Sequence, residues 1–129
     1  MTHRFQCRVY YEDTDLGGIV YYANYLKFIE RARSEWVRAL GLDQRAMKEG
    51  AGTVFAVRRI AAEYLSPARF DDLLDVETEV VSVRPARMTL RQRVLREGVV
   101  LFDAEVELVA IGPEGRPVRL PEALRALAG

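Results

Sequence analysis

Ala23-Asn24-Tyr25-Leu26-Lys27-Phe28-Ile29-Glu30-Arg31-Ala32-Arg33-Ser34-Glu35-Trp36-Val37-Arg38-Ala39-Leu40 is the stretch that decides the fold. Tyr25, Phe28, Ile29, Ala32, Trp36 and Leu40 recur at spacings of three, four and their sums, which lays one apolar stripe along a helix of roughly five turns. Lys27, Glu30, Arg31, Ser34, Glu35 and Arg38 fill the other faces. An i,i+4 pair between Arg31 and Glu35 is expected to offset the Lys27–Arg31 repulsion. Asn24 stands where a helix-capping side chain belongs, and Gly41 stands where a left-handed residue closes a helix.

Outward from the helix the spacing changes from three and four to two. Before it, Phe5, Cys7 and Val9 alternate with Arg4, Gln6 and Arg8, predicting a strand over Arg4 to Tyr11. After it, Thr53 to Leu65 reads as a strand with Val54, Ala56, Ile60, Ala62 and Tyr64 on one face, interrupted by the pair Arg58-Arg59. Ser66 to Asp72 is a connection. Asp75 to Val83 and Arg87 to Arg96 are strands divided by a turn at Arg84-Pro85-Ala86, and Glu97-Gly98 makes a tight hairpin into Val100 to Ile111. Gly112-Pro113-Glu114-Gly115 ends that strand, and Pro121 opens a short terminal helix ending near Leu127. One helical stripe against one sheet face predicts a two-layer α+β domain over residues 1–129, a long antiparallel sheet wrapped around a central helix. Its open strand edges predict that copies of the chain associate.

Composition narrows the chemistry. Nineteen basic and nineteen acidic side chains leave a formal charge of zero, against the basic excess of general nucleic-acid binders. The amino terminus lacks a signal-peptide core and no apolar run nears the ~20 residues of a membrane span, so a cytoplasmic protein without integral membrane contact is expected. Cys7 is the only cysteine and reads as an inert buried thiol. His3 is the only histidine and is expected in a frayed terminus. A Ser-His-Asp triad, a Cys–His pair and a multi-histidine metal site therefore lack their parts, and no metal is expected.

Carboxylates, hydroxyls and backbone amides remain, and they concentrate in Tyr10-Tyr11-Glu12-Asp13-Thr14-Asp15-Leu16-Gly17-Gly18-Ile19-Val20-Tyr21-Tyr22-Ala23-Asn24-Tyr25. Three carboxylates precede two glycines and the start of the long helix. The first amides of a helix have no internal partner and carry partial positive charge. They can polarise a thioester carbonyl and hold the oxyanion formed on attack. A nearby carboxylate can activate water, or attack the carbonyl itself to give a mixed anhydride. Asp13 and Asp15 could equally do no more than cap turns. The chemistry alone leaves the two readings level.

The segment resembles the signature of the 4-hydroxybenzoyl-CoA thioesterase family of hotdog-fold proteins, and more closely its YbgC-like, Tol–Pal-associated branch of acyl-CoA thioesterases. The resemblance is carried by Tyr10-Tyr11-Glu12-Asp13-Thr14-Asp15, Gly17-Gly18, Ala23-Asn24-Tyr25 and Phe28 to Trp36. Glu63-Tyr64 with Pro67-Ala68-Arg69-Phe70-Asp71-Asp72 extends it over nearly the whole chain. It implies a hotdog fold and hydrolysis of an acyl-CoA or acyl-carrier thioester to free acid and CoA. It further implies Asp15 as the catalytic carboxylate, a structural role for Asp13, and the Tyr22 N–H as oxyanion donor. Many members of the branch carry His at the position of Tyr22, whereas the benzoyl-CoA type carries Tyr.

Coenzyme A is then part of the substrate, no cofactor is expected, and its phosphates favour arginine. Arg58, Arg59, Arg84 and Arg87 are the candidates, and the resemblance implies nucleotide contacts near the Arg84–Arg87 turn, often from a neighbouring subunit. Ile19 and Val20 are expected to line the acyl end, and Asn24 to cap the helix or touch substrate. Tyr25 and Trp36 read as core. A dimer at least, and a tetramer, is expected. The alternative is a largely non-catalytic partner of acyl carrier protein or lipid synthesis at the Tol–Pal system of the cell envelope.

Overall fold

Helix α1 spans Asn24–Ala39 in the computed structural model, which describes residues 2–128. It buries the predicted stripe, Tyr25, Phe28, Ile29, Ala32 and Trp36, together with Val37. Each of the larger side chains contributes about 2 kcal/mol on leaving water. Gly41, at φ +85°, ends the helix as expected. Its N–H donates to the Arg38 carbonyl at 3.0 Å, and Leu42 N–H donates to the Val37 carbonyl at 3.3 Å, the paired bonds of a Schellman closure. Two helix expectations need correcting. Ala23 is the N-cap and no side chain caps it, because the Asn24 amide is turned back to the Asp13 carbonyl. Glu35 pairs with Arg38, three residues on, rather than with Arg31.

The helix lies against one antiparallel sheet ordered β1-β3-β4-β5-β2, with β1 at Thr2–Arg8, β2 at Val54–Tyr64, β3 at Leu73–Val83, β4 at Arg87–Arg96 and β5 at Val99–Ile111. The α+β hotdog architecture expected from the sequence is the one observed. Buried residues of β3, β4 and β5 meet α1 in two clusters. One centres on Phe28, Ile29 and Phe102, the other on Trp36, Leu90 and Leu108. Inside this apolar layer Gln92 is wholly buried. Its amide donates to the Ile29 carbonyl and to Thr78 Oγ1, both at 2.9 Å, and its oxygen accepts from Arg33 at 2.9 Å, so α1, β3 and β4 share one polar lock.

Three local features depart from the sequence reading. β1 begins at Thr2, so His3 is a strand residue opposite Thr78, not part of a frayed end. Arg58 is the extra residue of a β-bulge between Val57 and Arg59. The bulge reverses the parity of β2, so Phe55 and Val57 lie opposite the buried Ala110 and Leu108 in place of Val54 and Ala56. Helix α2, Gln44–Glu49, capped by Asp43, and strand β6, Pro117–Val118, paired with β5, are too short to show a period. The hairpin at Glu97-Gly98 has both residues at positive φ, 50° and 82°, as a two-residue turn of this twist requires. Helix α3, Glu122–Arg125, followed by a tight turn at Ala126–Ala128, closes the chain with Pro121 as its cap.

Candidate active site

The loop between β1 and α1 is built around Asp13. Its carboxylate accepts from the Tyr10 N–H at 2.8 Å, and its carbonyl accepts from the Tyr21 N–H and the Asn24 amide, both at 2.9 Å. Asp13 is buried, and these bonds tie the two ends of the loop together. Asn24 is therefore a scaffold residue; its side chain is spent on Asp13 and does not line the cavity below.

Asp15, two residues on, is exposed and heads a tight turn. Its N–H donates to the Ile19 carbonyl at 3.0 Å, its carbonyl accepts from Gly18 at 3.0 Å, and its Oδ1 accepts from the Gly17 N–H at 2.8 Å. One carboxylate oxygen is thus fixed by the backbone, while Oδ2 forms no hydrogen bond among the described residues. Both glycines are needed. A Cβ at Gly17 would stand 3.1 Å from Asp15 Oδ1, and Gly18 adopts φ +77°.

Asp15, Ile19, Val20 and Tyr22 line one cavity of about 330 Å³ with Tyr25, Tyr64, Leu65, Ser66 and Pro67. Four candidates separated by up to seven positions in sequence are thereby brought together. The Tyr22 N–H precedes the helix and has no hydrogen-bond partner among the described residues. Tyr25 is both core and cavity floor: its ring stacks on Phe102 with centroids 4.9 Å apart, and its hydroxyl accepts from the Ala68 N–H at 3.0 Å. The wall Tyr64-Leu65-Ser66-Pro67 was not selected from the sequence as a site, because it arrives from the end of β2 through space. Asp72 holds the connection behind that wall. Its carboxylate accepts from the Arg69 N–H at 2.8 Å and from Arg96 at 2.7 Å, and Arg96 also reaches the Pro67 carbonyl. Partial burial pushes the Asp72 carboxyl up, but these bonds and the arginine charges outweigh it and hold it below its ordinary range.

The four arginines lie elsewhere in the same chain. Tyr64 at the cavity pairs with Phe102, whereas Arg59 pairs with Glu107 and Arg87 with Val109. At ~3.3 Å per residue, Arg59 and Arg87 are roughly 17 and 23 Å along the sheet from the cavity. Arg58 and Arg87 both engage Glu107, at 2.9 and 3.3 Å. Arg84 sits at the β3–β4 turn, its N–H donating to the Arg87 carbonyl. Cys7 packs beside the core, and burial pushes its thiol up to about 11, so it is no thiolate at neutral pH. A larger cavity of about 530 Å³ lies along the second half of α1, among Trp36, Leu40, Val80 and Val83. It includes His3 but no carboxylate, and so offers no base-and-amide pair.

A fixed carboxylate and a helix-start residue whose amide is unpaired among the described residues line one cavity, an arrangement suited to attack on a carbonyl. Comparison with known proteins gives the family. The family model for the thioesterase superfamily matches residues 17–102, and the chain belongs to that superfamily. It is 42% identical over 123 residues to the acyl-CoA thioesterase YbgC of Haemophilus influenzae, covering 95% of this chain and 90% of that one. It is likewise 42% identical over 125 residues to the acyl-CoA thioester hydrolase YbgC of an Escherichia coli O6:H1 strain, covering 95% and 92%. Among solved structures, a probable thioesterase from Bartonella henselae superposes with a TM-score of 0.91 at 40% identity, over 94% of this chain and all of the other. The 4-hydroxybenzoyl CoA thioesterase of Pseudomonas sp. strain CBS-3 shares the fold with a TM-score of 0.90 at 24% identity, over 98% of both chains. The resemblance read from the sequence is borne out.

Proposed function

We propose that this protein hydrolyses acyl-CoA thioesters to the free acid and coenzyme A, with Asp15 as the catalytic carboxylate and the Tyr22 N–H as oxyanion donor. The observation that carries the assignment is their shared cavity: the carboxylate has one oxygen anchored and one free, and the amide is unpaired. Water attacks the thioester carbonyl as Asp15 takes its proton. The carbonyl oxygen gains negative charge against the amide, and collapse expels the CoA thiolate, which is protonated. Attack by the carboxylate itself passes through a mixed anhydride that water then opens, with the same products. Neither route needs a cofactor, a histidine or a metal.

The arginines enter through a second copy. Strand β2 is a sheet edge, and Val54, Val57, Ile60 and Tyr64 on it are 37%, 45%, 38% and 49% exposed. Antiparallel pairing of two such edges about the strand's middle sets the bulge of one chain beside the bulge of the other, and the Val54 end of each beside the other's cavity end. Arg58 and Arg59 of both copies then meet at the middle of the joined strands, and with Arg84 and Arg87 at the far end of the sheet they are the cations offered to the CoA phosphates. The same route admits an acyl carrier protein's phosphopantetheine arm. A dimer is the minimal unit and two dimers make the tetramer. Among the described residues no helix is long and apolar enough to cross a membrane, and the work is assigned to the cytoplasm.

Ile19 and Val20 line the acyl end, and the fixed Tyr25 ring closes it, which favours short acyl groups. A panel of short, long and aromatic acyl-CoAs tests the proposal. Clear turnover led by the short chains supports it; absence of turnover across the panel sinks it.

A further inference from the structure

We propose that a small cavity at Arg33, Ser34 and Gln44 is an oxyanion site, taking a single phosphate or carboxylate group. Glu30, Arg33, Ser34 and Val37 recur at spacings of three and four, so they share one face of α1 beside the buried stripe. Phe55, Val57 and Leu108 line the same cavity, the first two on the face to which the bulge at Arg58 assigns them. Gln44, the first residue of α2, joins the lining. The volume is about 150 Å³, smaller than the pockets that hold drug-sized ligands.

The cavity is marked by a cation with no counter-charge in contact. Arg33 is half-buried, and desolvation pushes its guanidinium below the usual value. Its hydrogen bond goes to Gln92 Oε1, a neutral oxygen, at 2.9 Å. No carboxylate among the described residues lies within 4.0 Å of it. Arg93 and Arg96 on β4, half-buried as well, are each paired: Arg93 with Glu77 and Glu79, and Arg96 with Asp72. The other Arg33 donors, the Ser34 hydroxyl and the Gln44 amide have no side-chain partner among the described residues. A guanidinium partly withdrawn from water is costly, and an oxyanion offsets that cost through charge-assisted hydrogen bonds. Glu30, exposed on the same lining, is the carboxylate whose charge acts on Arg33, and it opposes an incoming anion.

Phe55 and Val57 belong to the Val54 end of β2, which the edge pairing proposed above sets beside the partner's catalytic cavity. The oxyanions that hydrolysis brings there are the coenzyme phosphates and the carboxylate of the released acid. That placement rests on the proposed function, whereas every residue of the site belongs to one chain.

The probe is inorganic phosphate, titrated into the full chain at fixed ionic strength while the Arg33 Nε–H and Ser34 amide signals are followed by NMR. Both signals should move and saturate. Arg33→Met should weaken binding by about 10-fold or more. Gln44→Leu, which leaves the Arg33–Gln92 bond in place, should weaken it about threefold. Glu30→Gln should tighten it about twofold, an effect of opposite sign that a merely structural role for Arg33 does not give. Butyrate and coenzyme A, titrated in the same way, separate the two sources. Tighter binding of butyrate assigns the site to the released acid and tighter binding of coenzyme A to its phosphates, and either supports the proposal. No saturable movement with any of the three anions overturns it, as does undiminished binding in Gln44→Leu or Arg33→Met. Anion binding here without acyl-CoA turnover is a separate failure: it removes the hydrolytic reading and leaves the site.

Discussion

Gly17 and Gly18 are adjacent and look interchangeable, yet the structure gives them opposite jobs. A methyl at position 17 would stand 3.1 Å from Asp15 Oδ1, where ordinary contact begins at 3.4 Å, so the carboxylate must give way by about 0.3 Å. The Gly17 N–H that fixes this oxygen at 2.8 Å moves with it. If displacement of a reacting group by ~1 Å costs about 100-fold in rate, a shift of about 0.3 Å costs about fourfold. Gly18 has nothing within 4 Å of its would-be Cβ, but it sits at φ +77°. Alanine there meets backbone strain of about 1–2 kcal/mol, equivalent to a fall of about 4–8 °C in Tm. Gly17→Ala should therefore lower kcat about fourfold with Tm nearly unchanged, and Gly18→Ala should lower Tm more than kcat. Release of the CoA thiol gives the first quantity and thermal unfolding the second. Wild-type kcat in Gly17→Ala, or the reverse ordering of the two variants, refutes the reasoning.

Three further outcomes are expected. Gln92→Leu removes two buried hydrogen bonds and a part-buried third and strands the half-buried Arg33, so urea unfolding should show a loss of about 2–4 kcal/mol with the m-value kept. The Asp72 carboxyl is held below its ordinary 3.8, so its contribution is present above that pH and is lost as pH falls through the lower folded value. The acid limb of the stability curve should thus steepen below about pH 4, and Asp72→Asn should flatten it. Arg59→Ala should raise KM roughly fivefold for an acyl-CoA and leave KM unchanged for the same acyl group on pantetheine. Equal effects on both substrates would remove the phosphate role.

The long helix was readable because its apolar stripe and its closing glycine are local signals that tertiary contacts had no cause to override. Asp13 and Asp15 are two residues apart and chemically alike, and no periodicity separates them. Family resemblance gave them different roles, and the structure shows one oxygen set buried and bonded across the loop, the other at a cavity. Where the sequence misled, one extra or missing contact was responsible. Arg58 enters β2 as an unpaired residue and reverses the faces of everything before it, so Phe55 and Val57, not Val54 and Ala56, share a face with Ile60, Ala62 and Tyr64. Asn24 has the chemistry of a cap, but the buried Asp13 carbonyl competes for its amide and wins. His3 looked terminal because strand pairing with β3 leaves no trace in three residues of sequence. Tyr64 stands within a segment matching the family signature, yet its reach to Tyr22 spans 42 positions and exists only in the folded chain.

Asp15→Asn tests with the least disturbance whether the Asp15 carboxylate drives hydrolysis. The amide keeps the oxygen that accepts from Gly17 N–H, so the turn and the cavity should survive. Single-turnover hydrolysis of the best substrate in the acyl-CoA panel, beside its equilibrium binding to the same variant, is the measurement. Binding within about twofold of wild type and a rate reduced by roughly 100-fold or more would establish Asp15 in that role. Hydrolysis at the wild-type rate in Asp15→Asn would contradict it.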